Sequence, residues 1–195
     1  SIIPQFVSNG YVHDHAFSHV GPRAASLRDE LSGHGARFVV CFLDEHSADD
    51  QRTGFSHAMR AENYRYLLDK LLVDPTLGLI FKPKKAATLR QRLGPVCDLL
   101  DAALATGRCY IYQGGPTATQ ALPCEASAGA DVTIGILSGS TAALECALSG
   151  AQTVLVDRER VTYHPLYALG QGRVVFPDWD GLWAALSVSA ETTLN

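Results

Sequence analysis

The chain has 195 residues, 47% of them hydrophobic and 18% charged, with a formal charge of −4. Those totals describe one sizeable globular domain with room for a short appendage, and they exclude a disordered or fibrous chain. The net negative charge argues against general binding to nucleic acid. No run approaches the roughly 18 apolar residues of a membrane span, so no integral membrane segment is expected.

The first 35 residues carry "VHDHAFSH" and "GPRAASLRDELSGHG" and are expected to be a linker or interdomain segment (1–35). The opening Ser1, in place of Met, is expected to mark a processed protein or part of a longer one. His13 and His15 share one side of an extended stretch, with His19 nearby. No further ligand accompanies them, so no metal is expected. From residue 36 the pattern alternates, and 36–190 is predicted to be a Rossmann-like nucleotide-binding domain.

"RFVVCFLDE" (37–45) is a continuous apolar strand, and "NYRYLLDKLLVD" (63–74) spaces Tyr64, Leu67, Leu68, Leu71 and Leu72 as a helix does. "LGLIFKPK" (77–84) is a second strand, stopped by Pro83. The helix in "LRQRLGPVCDLLDAALATG" (89–107) breaks at Gly94-Pro95 and ends at Gly107. "RCYIYQ", "DVTIGIL" and "QTVLVD" follow as strands three, four and five, and "RVVFP" and "WDGLWAALS" complete the alternation. Strands apolar along their whole length are covered on both faces. The fold class is therefore α/β, a doubly wound, mainly parallel sheet flanked by helices. The five cysteines have no CxxC spacing and are expected to be buried free thiols. Trp179 and Trp183, four residues apart, are expected to pack on the core or on a neighbouring domain.

In such a sheet the ligand crevice lies beyond the carboxyl ends of the strands, where their order reverses. With strand order 3-2-1-4-5, the first and fourth strands meet there. Asp44, Glu45, His46 and Ser47 end the first; Ser138, Gly139, Ser140 and Thr141 end the fourth. Lys82, Lys84 and Lys85 end the second. Amides at a helix N-terminus, hydroxyls and lysines together suit a phosphate, with Gly139 allowing close approach. Thr141, Glu145 and Ser149 make one polar stripe down a helix of small residues. Glu145 is placed to accept hydrogen bonds from ribose hydroxyls. The crevice is thus predicted to be electropositive and to receive a phosphorylated nucleoside, with Lys82, Lys84, Ser138, Gly139, Ser140, Thr141 and Glu145 as its contacts. Gln113, Gly114 and Gly115, in the loop "QGGPTATQALPC", are the candidates for base recognition. Asp44, Glu45, His46 and His164 are the candidates for acid–base catalysis. The plainer alternatives are a Ser/Thr helix cap and a solvated lysine loop. Gly-x-Ser-x-Gly, Walker A and Gly-x-Gly-x-x-Gly patterns are absent, which weakens hydrolase, NTPase and dehydrogenase readings.

"ADVTIGILSGSTAALECALSGAQTVLVD" (130–157) resembles the nucleotide-binding half of GT-B glycosyltransferases. There an "AD-x-x-I-G" strand, a Ser/Thr turn and a "T-A-x-x-E-x-x-x-x-G" helix precede an apolar strand. "LGLIFKPKK" is similar to the "K-P-H-P" strand end of bacterial capsule and sialic-acid transferases, with Lys84 where those have His. "FLDEHS" and "NYRYLLDKLL" look more loosely like bacterial surface-polysaccharide proteins. The layout covers 36–186. A complete enzyme of this kind has two Rossmann-like halves, and one fits here. The resemblance implies the donor nucleotide-sugar-binding half of a glycosyltransferase in bacterial surface-carbohydrate assembly. It also implies no cofactor or metal, with an acceptor-binding domain or subunit as partner. The expected location is cytoplasmic, with any contact to the inner membrane made through a partner. The alternative is a non-catalytic nucleotide-binding or protein-interaction module of the same fold.

Overall fold

The computed structural model describes residues 10–11, 14–45, 47, 56–113 and 121–193, with side chains as far as 187. Six strands form one sheet: β1 (Phe38–Leu43), β2 (Leu77–Lys82), β3 (Cys109–Ile111), β4 (Val132–Ile136), β5 (Thr153–Val156) and β6 (Val175–Phe176). Their order is β3-β2-β1-β4-β5-β6, and every pairing is parallel. The expected doubly wound α/β sheet is what the chain forms, with "RVVFP" adding the sixth strand. The chain runs outward from β1 to β3, then returns to the other side of β1. The strand ends therefore diverge between β1 and β4.

Strand residues alternate between two helical layers. Val40, Phe42, Leu79, Phe81 and Ile134 face one layer, made of α2 (His57–Val73), α3 (Leu89–Leu93), α4 (Cys97–Ala105) and α7 (Trp179–Thr193). Tyr64, Leu67, Leu68 and Leu71 of α2 are fully buried there, as the helical spacing predicts, whereas Leu72, the fifth residue of that spacing, is exposed. Each such side chain contributes roughly 1.5–3 kcal/mol by leaving water. A 3₁₀ turn at Gly94–Val96 separates α3 from α4, where the sequence breaks at Gly-Pro. Trp179 packs on this core, and its indole N–H donates to Asn63 Oδ1 at 2.9 Å.

Val39, Cys41, Leu43, Ile80 and Leu155 face the second layer, made of α1 (Gly21–Gly33), α5 (Pro123–Ala128) and α6 (Thr141–Leu148). Here the expectation for the first 35 residues needs correction. Ala24, Leu27 and Leu31 of α1 are buried, and Arg28 holds Asp131 at 2.7 Å. Residues 21–33 are thus a layer of this domain, not a linker. A three-residue apolar stripe inside a polar helix gave too weak a period to show that. All five cysteines are free, with Cys41, Cys109, Cys124 and Cys146 buried.

α6 lies close on β4 because Gly135 has no side chain. A Cβ there would stand 2.6 Å from the Cβ of Ala143. That intimacy sets the depth at which Glu145 enters the crevice.

Candidate functional site

Beyond the carboxyl ends of β1, β2 and β4 lies a cavity of about 300 Å³. Four parts of the chain line it: Leu43, Asp44 and Glu45 at the end of β1, Lys82 and Lys84 at the end of β2, Pro123 at the start of α5, and Thr141, Ala142 and Glu145 on α6. Parallel register brings the first two together, since Leu43 pairs with Lys82. Glu145 and both lysines, far apart in sequence, thus meet where the crevice was expected.

Glu145 is 6% exposed. Its Oε1 accepts the backbone N–H of Cys124 at 3.2 Å, and its Oε2 accepts the hydroxyl of Tyr11. Burial first, and then the bond to Glu145, push the Tyr11 phenol up to about 12. Glu145 is therefore a buried, hydrogen-bonded carboxylate and not a side chain in bulk water. Lys82 is half-buried, and desolvation lowers its pKa against the pull of Cys41, Glu125 and Glu145. Lys84 is exposed and donates to Glu45 Oε2 at 2.7 Å.

The charge balance differs from expectation. The lining carries Lys82 and Lys84 against Asp44, Glu45 and Glu145, so the cavity is mixed in sign and not simply electropositive. Gly139 also serves differently. A Cβ there would sit 2.1 Å from Cγ and 2.8 Å from Oε1 of Glu45, so this glycine makes room for Glu45.

The hydroxyls part company. Thr141 lines the cavity, whereas Ser138 turns to Glu159 Oε1 at 2.9 Å. Ser140 stands at the helix start without a side-chain cap bond, so the capping alternative does not account for it. Ser149 ends the stripe by donating to Cys146 O at 2.7 Å, outside the cavity lining.

Asp44 belongs to the lining but is itself buried, 4% exposed. Arg92 reaches its Oδ2 at 3.4 Å and also donates to Ser47 Oγ at 3.1 Å and to the carbonyl of Lys85. Lys85 itself is exposed. Desolvation raises the Asp44 carboxyl to about 6, opposed by Arg92 and Arg60. Arg60 in turn pairs with Glu159 at 3.7 Å. This buried ionic layer ties β1, α2 and α3 to the loop after β5, and it holds the end of β1 in place.

His164 lies elsewhere. Its Nδ1 accepts the N–H of Leu166 at 3.3 Å and caps the 3₁₀ turn at Pro165–Leu169, away from the cavity lining. Gln113 is exposed beside a separate hollow with Ala86, Arg90 and Ile111, so it does not join the crevice. His13, His46, Gly114 and Gly115 lie outside the described residues. His15 and His19 are exposed on the 3₁₀ turn at Asp14–His19. Among the described residues no group of three or more His, Cys, Asp or Glu side chains could hold a metal ion. Nor is any helix among them long and apolar enough to cross a membrane.

Sequence reasoning missed Tyr11, the Cys124 amide and Arg92. Pro123 was the available signal for the second, since proline is favoured at the first position of a helix and aims that helix's start at the crevice. Compared with known protein families and with curated proteins, the chain matches no family model and no curated sequence.

Proposed function

We propose that this domain binds a nucleoside diphosphate sugar and serves as the donor half of a GT-B-type glycosyltransferase in surface-carbohydrate assembly. One observation carries the reading. Glu145, Thr141, Lys82 and Lys84 converge from separate elements on a single cavity, at the strand ends where the order reverses. The lysines and the start of α6 would hold the diphosphate, and Glu145 would take the ribose hydroxyls. Pro123, at the end of the "QGGPTATQALPC" loop, lines the same cavity and would border the base.

In the reaction, the bond from the sugar's anomeric carbon to the diphosphate breaks as the acceptor oxygen bonds to that carbon. The acceptor's hydroxyl proton passes to a base on an acceptor-binding domain or subunit. The departing charge falls to Lys82, Lys84 and the helix dipole, so no metal is needed in this scheme. A cytoplasmic site, where nucleotide sugars are made, belongs to the same proposal.

Titration calorimetry with UDP, GDP, CDP and CMP tests it. One of these should bind, and Glu145→Ala should weaken that binding about ten- to a hundredfold, the range for losing hydrogen bonds to a charged group. Absence of binding to all four would favour a protein-interaction module.

A further inference from the structure

The groups suited to hold a phosphate already hold a carboxylate. Glu45 Oε2 lies 2.7 Å from Lys84 Nζ, and the Glu45 side chain fills the space over Gly139, just before α6. Its side chain is 12% exposed while that of Lys84 is 57% exposed, so the carboxylate lies deeper than its cation. Asp44 is matched by Arg92 beneath, and Glu145 by Tyr11 and the Cys124 amide. Glu45 is thus the acid on the lining whose ionic partner is a lysine of the cavity itself. A diphosphate cannot take Lys84 and the space over Gly139 while Glu45 keeps both.

We propose that Glu45 is a resident competitor in this pocket: an internal anion that holds Lys84 and the space over Gly139 until the phosphate of a ligand displaces it. The inference rests on the reading of the cavity as a nucleoside-diphosphate site. The exchange is one of partners. Lys84 passes from carboxylate to phosphate, and Glu45 swings out to water, where an exposed carboxylate is well solvated. A neutral nucleoside has nothing to offer Lys84 and leaves Glu45 where it is. The resident carboxylate therefore lowers affinity for phosphorylated ligands and leaves that of the neutral nucleoside as it is.

The test compares wild type, Glu45→Gln and Glu45→Asp by calorimetry, using the best-binding nucleoside diphosphate and its parent nucleoside. Circular dichroism melting serves as the check on folding. Glu45→Gln should bind the diphosphate about five- to tenfold more tightly, the scale of an ion pair plus relieved repulsion. Its affinity for the nucleoside should not change. Glu45→Asp, which withdraws the charge by one methylene, should show a smaller gain. Lys84→Met should weaken diphosphate binding more in the Glu45→Gln background than in wild type, because Lys84 is already engaged in wild type.

Equal or weaker diphosphate binding by Glu45→Gln overturns the inference and leaves the nucleotide reading intact. An equal gain for the nucleoside also overturns it, because the effect would not depend on phosphate. No binding by any of the proteins overturns both.

Discussion

Gly135→Ala tests the link between sheet packing and the position of Glu145. The added Cβ would stand 2.6 Å from the Cβ of Ala143 and 3.2 Å from Cδ2 of Leu155, whereas ordinary contact begins at 3.4 Å. Leu155 can rotate, but an alanine Cβ has no rotamer to change. α6 must therefore retreat by about 0.8 Å at Ala143, the difference between 3.4 and 2.6 Å. Overpacking of this kind costs roughly 1–3 kcal/mol. Losing a strand glycine returns about 0.5–1 kcal/mol, so the net loss expected is on the order of 1–2 kcal/mol. Glu145 is two residues further along the same helix. The retreat stretches its 3.2 Å bond from the Cys124 amide beyond useful range, so ligand affinity should fall along with stability. Urea unfolding followed by circular dichroism gives the first quantity, and calorimetry the second. Gly33→Ala is the control. It ends α1 with no atom within 4 Å and no positive φ, and it should stabilise by roughly 0.4–1 kcal/mol. A Gly135→Ala protein as stable as wild type, with unchanged affinity, would refute the claim that this contact sets the depth of α6.

Two further outcomes concern the framework. Arg108 donates to the carbonyls of Asp74 at 2.7 Å, Leu77 at 2.6 Å and Leu71 at 3.3 Å, so it closes the end of α2 onto β2. Arg108→Ala should cost roughly 2–4 kcal/mol in urea unfolding, and Arg108→Lys should restore only part of that. Asp44 gives a pH signature. Burial raises its carboxyl from 3.8 to about 6, so the folded chain keeps a proton that the unfolded chain has released. Its contribution is present in full below about pH 4 and is lost as pH rises through 6, a swing of about 3 kcal/mol. Subtracting the stability of Asp44→Asn from that of wild type should leave a difference that falls between pH 4 and 7. A flat or rising difference would contradict this account of the buried ionic layer.

The parts of the fold legible in the sequence were those with a strong period or a strong stop. Apolar strands such as 38–43 and 77–82, the helix around Tyr64 and Leu71, and the break at Gly94-Pro95 all carry local signals. The crevice was legible because parallel topology alone places strand ends beside one another. What stayed hidden depends on partners distant in the chain. Tyr11 meets Glu145 across 134 residues, and Arg92 meets Asp44 across 48. No spacing rule announces either pair. Gly139 was read as room for a phosphate, but it is room for Glu45, because a missing Cβ does not say what fills the space. His164 looked like chemistry beside the crevice and is a turn cap, a role its own Pro165 could have suggested.

A crystal structure with the tightest-binding nucleoside diphosphate is the most direct test. The account predicts the diphosphate against the start of α6 within reach of Lys82 and Lys84, and ribose hydroxyls on Glu145. Ligand density on another face of the sheet, with Glu145 still bonded to Tyr11 and the Cys124 amide and the cavity empty, would contradict it.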